Sequence, residues 1–107
     1  MNKYRRRFLS TLERFQTLWE PEPNSGCWLW IGNCDVRGYG RFFLKNAPGK
    51  QVLAHRFSYE TAFGPISVGL QLDHLCRITS CVNPRHLEPV TFRENIKRGI
   101  VPYSTRT

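Results

Sequence analysis

The feature that most constrains this chain is a run of metal-ligand residues in its last third. Cys76 and Cys81 are separated by four residues, and His86 follows after four more. Thiolate and imidazole groups at such spacing occur in structural zinc sites, where four ligands surround the ion as a tetrahedron. The spacing therefore predicts a loop wrapped around a structural Zn²⁺. Bound metal would stabilise a chain of 107 residues, which has room for only one small core.

A tetrahedral site needs a fourth ligand, and two cysteines precede the loop. Cys27 opens residues 27–31, whose tryptophan, leucine and isoleucine side chains predict a strand. Cys34 lies in residues 32–35, which are rich in turn-forming types. We favour Cys27, because a strand holds a side chain in one direction, and we expect Cys34 to be a free, partly exposed thiol. No Cys-x-x-Cys pair is present, so the sequence does not favour a thiol redox protein.

The charge of the chain indicates a polyanionic partner. Sixteen Lys and Arg residues against eight Asp and Glu give a net charge of +8 and a pI near 9.9. Nucleic acid is the commonest partner of so basic a chain, and a solvated basic surface is the alternative. No apolar run approaches the ~18 residues of a membrane span, and the basic N-terminus lacks the apolar run of a secretory signal. We therefore expect an intracellular protein without a membrane partner.

Hydrophobic periodicity and turn residues predict a small α+β domain with antiparallel strands. The predicted helices cover residues 4–19, residues 54–63 and a segment from just after Thr91 towards residue 99; the predicted strands cover 27–31, 41–45, 50–53 and 70–74. The first helix should end at Glu20, because Pro21 cannot continue it. Thr91 and Glu94 match a capping box at the start of the last helix. Residues 76–87 read as loop.

The predicted strand and last helix place three further polar side chains beside the zinc loop. Asp73 and His74 end the strand, and Asn95 lies in the first turn of the helix. A neutral imidazole can take a proton from water, while carboxylate and amide oxygens suit Mg²⁺. A helix start can also face an anionic phosphate. Their joint spacing on a strand, loop and helix predicts a metal-dependent site that acts on phosphate.

These residues, in this order, resemble the HNH endonuclease superfamily. The resemblance rests on residues 73–76, 81–87 and 93–95, and upstream on residues 26–30, 38–41 and 55–56. More narrowly, the chain is similar to small phage-type HNH proteins and to His-Cys box homing endonucleases. The resemblance implies a ββα-metal fold with a structural zinc. On that basis we divide the chain into a basic helix and linker (1–23), an HNH domain (24–99) and a tail (100–107).

The resemblance also implies a role for each matching side chain. His74 would be the general base, and Asn95, with Asp73, would hold one catalytic divalent cation, Mg²⁺ or a similar ion. Some His-Cys box relatives lack the carboxylate, so Asp73 is the less secure member. The structural zinc would be bound by Cys27, Cys76, Cys81 and His86. His86 stands where many HNH proteins have an asparagine that supports the base, and Asn83 is expected to shape the loop.

The implied activity is hydrolysis of double-stranded DNA to 5′-phosphate and 3′-hydroxyl ends. Cutting both strands would need two active sites, hence a homodimer. The main alternative is a non-catalytic zinc-stabilised module that binds DNA; a second is a zinc-stabilised adaptor for an acidic protein. The non-catalytic module has no need for His74 or Asn95, and their presence favours the enzyme.

Six basic residues are candidates for contacts with DNA. Arg41, Lys45 and Lys50 lie on a predicted hairpin that could enter the major groove. The same face could equally be an ordinary solvated surface. Arg56, Lys97 and Arg98 are expected to contact phosphates near the cut. The cluster at residues 5–7 would add affinity that falls with salt.

Overall fold

Short strand pairs and short helices make up the protein. The computed structural model describes residues 10–44 and 49–98. Its elements are, in order, α1 (Thr11–Gln16), β1 (Trp19–Pro21), β2 (Trp28–Trp30), β3 (Arg41–Phe43), β4 (Gln51–Leu53), α2 (Ala54–Phe63), β5 (Leu70–His74), a 3₁₀ turn (Pro84–His86), β6 (Leu87–Thr91) and α3 (residues 92–98). Within the described ranges, β1 pairs with β2, β3 with β4 and β5 with β6, all antiparallel. The predicted α+β class is confirmed.

The hydrophobic core is aromatic and joins the N-terminal elements to the rest of the fold. Phe15 from α1 lies 5.3 Å, between ring centroids, from both Trp30 and Phe42. Ala54 and Val82 complete the fully buried cluster. Trp19, Trp28 and Phe57 pack against it as partly buried side chains. These aromatic side chains therefore form the core or pack against it.

The first helix is shorter than its apolar stripe predicted. Ser10 has extended backbone and forms a capping box with Glu13, so α1 begins at Thr11. The helix ends at Gln16, and Trp19 belongs to β1, where it pairs with Trp30 and stacks on Trp28 at 4.1 Å. A continuous helix over residues 4–19 is therefore wrong, because the cap and the strand pairing override the periodicity. Residues 4–9 and the basic cluster at 5–7 lie outside the described residues.

The other predicted elements were placed correctly, and some were shorter than expected. Helix α2 and strand β5 have the predicted bounds, and Thr91 accepts a hydrogen bond from the Glu94 backbone where α3 begins. The strands expected at 27–31 and 50–53 are observed as β2 and β4. The strand expected at 41–45 is observed as β3, which ends at Phe43. Lys45 lies outside the described residues.

The loop expected over residues 76–87 is followed by a strand that the sequence did not predict. Pro84–His86 form a 3₁₀ turn, and Leu87–Thr91 form β6, which pairs with the whole of β5. Pro89 argued against a strand in the sequence, because proline has no N–H to donate to a β-ladder. In a two-stranded pair it is tolerated, and Pro89 lies opposite Leu72. The result is a strand, loop, strand and helix, which is the ββα arrangement that the family resemblance implied.

The proposed division of the chain at residue 23 stays a prediction. Phe15 and Trp19 pack on the core that Trp30 and Phe42 form, so α1 and β1 share that core with the later strands. Among the described residues, no helix is long and apolar enough to cross a membrane.

Candidate active site and metal centre

Four potential metal ligands meet beside the core. The side-chain ligand atoms of Cys27, Cys76, Cys81 and His86 all lie within 4.8 Å of one another. The Sγ atoms of Cys27 and Cys81 are each 3.6 Å from Nδ1 of His86. With Zn–S at ~2.3 Å and Zn–N at ~2.05 Å, a tetrahedral ion would separate sulfur and nitrogen by about 3.5 Å. The donor set and its spacing therefore fit a tetrahedral zinc ion.

The chain brings these ligands together by pairing the loop with β2. We call residues 75–86, which connect β5 to β6, the ligand loop. The Trp30 backbone N–H donates to Ser80 at 3.0 Å, and that of Val82 donates to Trp28 at 2.8 Å. Cys81 therefore lies alongside β2, and Cys27 is the residue immediately before that strand. Both thiols are buried, with exposures of 0% and 1%.

Asn83 gives the ligand loop its shape, as expected. Its side-chain amide donates to the Gly26 carbonyl at 2.7 Å, and its Oδ1 accepts from the Arg85 backbone at 3.0 Å. The first bond ties the loop to the residue before Cys27. The second begins the turn that presents His86. Asn83 thus positions two ligands and does not line the cleft described below.

Burial makes the loop thiols reluctant to ionise in the absence of a cation. Burial raises the pKa of Cys81 to about 12 and raises the pKa of Cys76 above its usual value. A zinc ion would supply the positive charge that stabilises the thiolates. Cys34 is exposed and lies outside this cluster, in keeping with its interpretation as a free thiol.

His74 ends β5 and is held by the ligand loop. Its side chain is 5% exposed, and Nε2 lies 3.1 Å from the carbonyl oxygen of Cys81. A carbonyl oxygen only accepts, so Nε2 carries the proton and Nδ1 holds the lone pair. Burial lowers the pKa of His74, which keeps the ring neutral near physiological pH. Cys81 is thus a candidate metal ligand through its thiol and also fixes the tautomer of His74 through its carbonyl.

Asp73 is buried and paired with two arginines. Its Oδ1 lies 2.7 Å from Nη1 of Arg77, and its Oδ2 lies 2.9 Å from Nη1 of Arg98. Arg98 also contacts Glu88 at 2.5 Å and Glu94 at 3.3 Å. The hydrogen bond with Asp73, followed by that with Glu88, raises the pKa of Arg98 further. Asp73 therefore lies beside His74 with both carboxylate oxygens paired to arginine side chains.

Asn95 is oriented by β5. Its Nδ2 lies 2.7 Å from Oε1 of Gln71. The carboxamide oxygen of Gln71 only accepts, so this contact takes the amide nitrogen of Asn95 and leaves its Oδ1 as the free ligand atom. Asn95 lines both of the cavities described next. Asn95 lies in the first turn of α3, as the sequence predicted, and its role stays a prediction.

Two adjacent cavities form what we call the cleft. The first, of about 260 Å³, is lined by Asp73, His74, Arg77 and Asn95, with Tyr39 and Thr79 on the far side. The second, of about 240 Å³, is lined by Arg37, His55, Arg56 and Gln71. Tyr39, Leu72 and Asn95 border both cavities. The three residues expected to carry the chemistry therefore share one cavity, and a basic cavity lies next to it.

Tyr39 enters the cleft through a close backbone approach that requires glycine. A Cβ on Gly40 would lie 2.6 Å from Cδ1 of Trp30 and 3.0 Å from Cβ of Ala54. Because Gly40 has no side chain, its backbone packs directly against the indole of Trp30. Tyr39 can then face the two histidines, with ring centroids 5.4 Å from His55 and 5.7 Å from His74.

His55 is a cleft residue for which the sequence predicted no role. It opens α2 with 5% exposure, and its ring centroid lies 4.7 Å from that of His74. Burial, followed by the charge of His74, lowers its pKa to about 3. Nδ1 is buried without a hydrogen-bond partner among the described residues. One histidine at the start of a helix is a weak signal, and only the resemblance of residues 55–56 pointed to it.

The predicted DNA contacts are scattered over the surface. Arg56 borders the second cavity, whereas Lys50 and Lys97 are exposed away from both cavities. Arg41 lies on β3, beside the buried Phe42. Arg98 is committed to the carboxylates named above. Among the five members of this set that the structure describes, Arg56 alone borders the cleft.

Comparison with known proteins adds a family to this geometry. Residues 52–97, which contain β4 to α3, match the family described as HNH endonuclease. This segment belongs to the HNH endonuclease family. The HNH segment contains the cleft residues from β5 and α3 and three of the four metal ligands, while Cys27 lies upstream of the match.

The chain is also similar to proteins of bacteriophages. The chain is 36% identical over 69 residues to "Protein 7.7" of Escherichia phage T7. The matched region covers 64% of this chain and 51% of the phage protein. It is 36% identical over 72 residues to "Protein 2.8" of the same phage, covering 67% and 48%. The chain thus spans about half the length of these two relatives. No solved structure matches it.

Proposed function

We propose that this HNH protein is a metal-dependent DNA endonuclease that hydrolyses phosphodiester bonds. One observation carries the proposal. His74 and Asn95 face the same cavity, and a hydrogen bond orients each of them so that a lone pair remains for the substrate side. The net charge of +8 supports double-stranded DNA as the substrate.

In the proposed mechanism, His74 acts as the general base. Nδ1 takes a proton from a water molecule aligned with the scissile phosphorus, while Nε2 keeps its proton and donates a hydrogen bond to the Cys81 carbonyl. The charge of Asp73 favours the protonated ring, which stabilises the imidazolium once it forms. The water oxygen bonds to phosphorus and the bond to the 3′ oxygen breaks. This gives the 5′-phosphate and 3′-hydroxyl ends that the family resemblance implies.

Two residues of the cleft have the chemistry to hold a divalent cation. Asn95 offers Oδ1. Asp73 offers a carboxylate oxygen once one of the two arginines that it contacts has moved away. Bound Mg²⁺ or a similar ion would act as a Lewis acid on the phosphate. Gln71 keeps the Asn95 amide in the orientation that this needs.

We further propose that the four-ligand cluster binds zinc and that the zinc is structural. All four positions are protein ligands, which is typical of a closed structural site. The cluster fixes the ligand loop, and the Cys81 carbonyl of that loop fixes His74. Zinc would therefore act on catalysis through the position of the base.

Supercoiled plasmid tests the activity. We expect wild-type protein to nick or linearise it with Mg²⁺ and to leave it intact with EDTA. Relaxed circles would indicate nicking, while linear product would indicate double-strand cutting and support a homodimer. His74→Ala should lower the cleavage rate by at least ~10²-fold, because the general base is lost, with little change in DNA affinity. Equal losses of cleavage and binding would argue against the general-base role.

A non-catalytic DNA-binding module is the second candidate, and the pairing of Asp73 favours it. Both carboxylate oxygens contact arginines, which compete with a metal ion for the same lone pairs. If this arrangement persists with DNA and Mg²⁺ present, the protein binds DNA without cutting it. Plasmid that remains supercoiled at protein concentrations that saturate binding would establish this alternative.

The surroundings of the protein follow from the same proposal. Its relatives belong to phages T7 and T3, so we place its action inside an infected bacterial cell. Arg56 is the best supported phosphate contact because it borders the cleft. Arg41, Lys45, Lys50, Lys97 and Arg98 remain proposed contacts.

A further inference from the structure

Arg77 has a backbone conformation that is costly for an arginine. It follows β5 at a tight turn, where its N–H donates to the His74 carbonyl at 3.0 Å. Its φ of 64° makes it the one non-glycine residue with a positive φ in the ranges 10–44 and 49–98. The Cβ of an L-residue makes this region unfavourable, whereas glycine adopts it freely. Such strain is commonly kept where the side chain has a use.

The side chain of Arg77 is fixed at the wall of the first cavity. Nη1 lies 2.7 Å from the buried carboxylate of Asp73, and the side chain is 46% exposed. It borders the cavity together with His74 and Asn95. A guanidinium has five N–H donors, and the hydrogen bond to Asp73 uses one of the two on Nη1. Arg77 thus presents an oriented cation to the space where the general base acts.

Arg98 provides an internal comparison, because it pairs with the other oxygen of the same carboxylate. Its contacts with Glu88 and Glu94 surround its charge with acidic groups. Arg98 is not among the described residues that line either cavity. The two arginines therefore differ in what they face: Arg98 faces carboxylates of the fold, and Arg77 faces the cleft.

We propose that Arg77 is a further catalytic residue, which donates hydrogen bonds to a non-bridging oxygen of the scissile phosphate. The proposal rests on the proposed nuclease function. As the water oxygen bonds to phosphorus, its proton passes to His74; the electron pair of the breaking bond leaves with the 3′ oxygen, which takes a proton from solvent. Negative charge grows on the non-bridging oxygens during this step. A charged, oriented donor stabilises that growth more than it stabilises the ground state.

The test compares three variants that each remove one positive charge. Arg77→Gln removes the proposed contact, and Arg98→Gln removes the other partner of Asp73. Arg93→Gln removes an exposed arginine that borders neither cavity. Single-turnover cleavage with Mg²⁺ gives the rate, and binding of a short DNA duplex with Ca²⁺ in place of Mg²⁺ gives the salt dependence of affinity. Thermal unfolding of each variant reports the fold.

We expect Arg77→Gln to lower the single-turnover rate by ~10²–10³-fold, the loss typical of one transition-state donor. Its plot of log affinity against log salt should become shallower by about one unit, because one phosphate contact is lost. Arg77→Lys should recover part of the rate. Arg93→Gln should match wild type in rate and in slope.

Three results would overturn the catalytic role of Arg77. If Arg77→Gln and Arg98→Gln lower the rate equally and neither changes the salt slope, Arg77 acts only through Asp73. If wild-type protein binds no DNA, the proposed function falls and this inference falls with it. If wild-type protein binds DNA and does not cut it, the nuclease function falls, and the catalytic role of Arg77 falls with it. The slope of Arg77→Gln then still decides whether Arg77 contacts a phosphate.

Discussion

At the scale of single residues, hydrogen bonds decide which atom of a cleft side chain faces the substrate. His74 donates a hydrogen bond from Nε2 to the Cys81 carbonyl, and Asn95 donates one from its amide nitrogen to Gln71. In each case the bond takes the donor and leaves the acceptor free. One pattern of donation therefore prepares a base and a metal ligand in the same cavity.

Replacing Gln71 tests this pattern. Gln71→Ala removes the acceptor of the Asn95 amide, so the amide can rotate and present nitrogen to the cation. We expect a cleavage rate about 10–100-fold lower and a higher Mg²⁺ concentration at half-maximal rate, as for other residues that orient a ligand. Gln51→Ala, at an exposed position of β4, is the control. Mg²⁺ titrations that coincide for Gln71→Ala and wild type would contradict the role of Gln71.

The sequence identified the residues with a distinctive chemical spacing and missed the ones that support them. Cys27, Cys76, Cys81 and His86 were found because few residue types bind zinc, and the structure brings them within 4.8 Å. Gln71, His55 and Arg77 are single polar residues, for which sequence offers many roles. Their position depends on the pairing of β5 with β6 and on the way α2 follows β4.

At the scale of elements, the ligand loop acts as an added edge of β2. Backbone hydrogen bonds join residues 80 and 82 to Trp30 and Trp28, and the Ser58 hydroxyl donates to the Val82 carbonyl at 2.6 Å. The loop is therefore anchored to the core at Val82 and to Gly26 through Asn83. Loss of zinc would release the stretch between these anchors and β5, which carries Cys76 and Arg77.

Two cysteine variants separate the structural site from the free thiol. Cys27→Ser removes a buried ligand, so we expect loss of bound zinc and a stability lower by several kcal/mol, about 3 or more. Cys34→Ser changes an exposed thiol and should keep zinc content and lie within about 0.5 kcal/mol of wild type. Elemental analysis of purified protein and urea unfolding measure both. Full stability of Cys27→Ser without zinc would contradict the structural role of the metal.

Elements with strong local signals were predicted well, and those fixed by tertiary pairing were not. Helix α2 was predicted to the residue, because Gly64 and Pro65 end it. The end of α1 was misplaced because Trp19 leaves the helix to pair with β2. Strand β6 was missed because Pro89 hides a strand that is visible only beside β5. In both errors a partner distant in sequence decided the local structure.

At the scale of the whole molecule, the cleft makes folding sensitive to acid. His55 is neutral when folded, because burial and the neighbouring charges of His74 and Arg56 lower its pKa to about 3, opposed only by Asp35. In the unfolded chain the pKa of a histidine returns to about 6.5. Between these values the unfolded state binds more protons than the native state. Stability must therefore fall as the pH drops below about 6.5 and continue to fall towards about 3.

The contribution of His55 can be isolated by comparing pH slopes. Between about pH 7 and about pH 5, it should cost wild-type protein about 2 kcal/mol of unfolding free energy. His55→Leu removes the titrating group, so its stability should fall by that much less over the same interval. His74 lies 4.7 Å from His55 between ring centroids and lowers its pKa, so the difference reports the coupled titration of the two histidines. Urea unfolding at each pH gives the free energies, and His55→Gln, which also does not titrate, serves as a second variant. Parallel pH profiles for wild type and both variants would show that His55 is not held neutral in the folded protein.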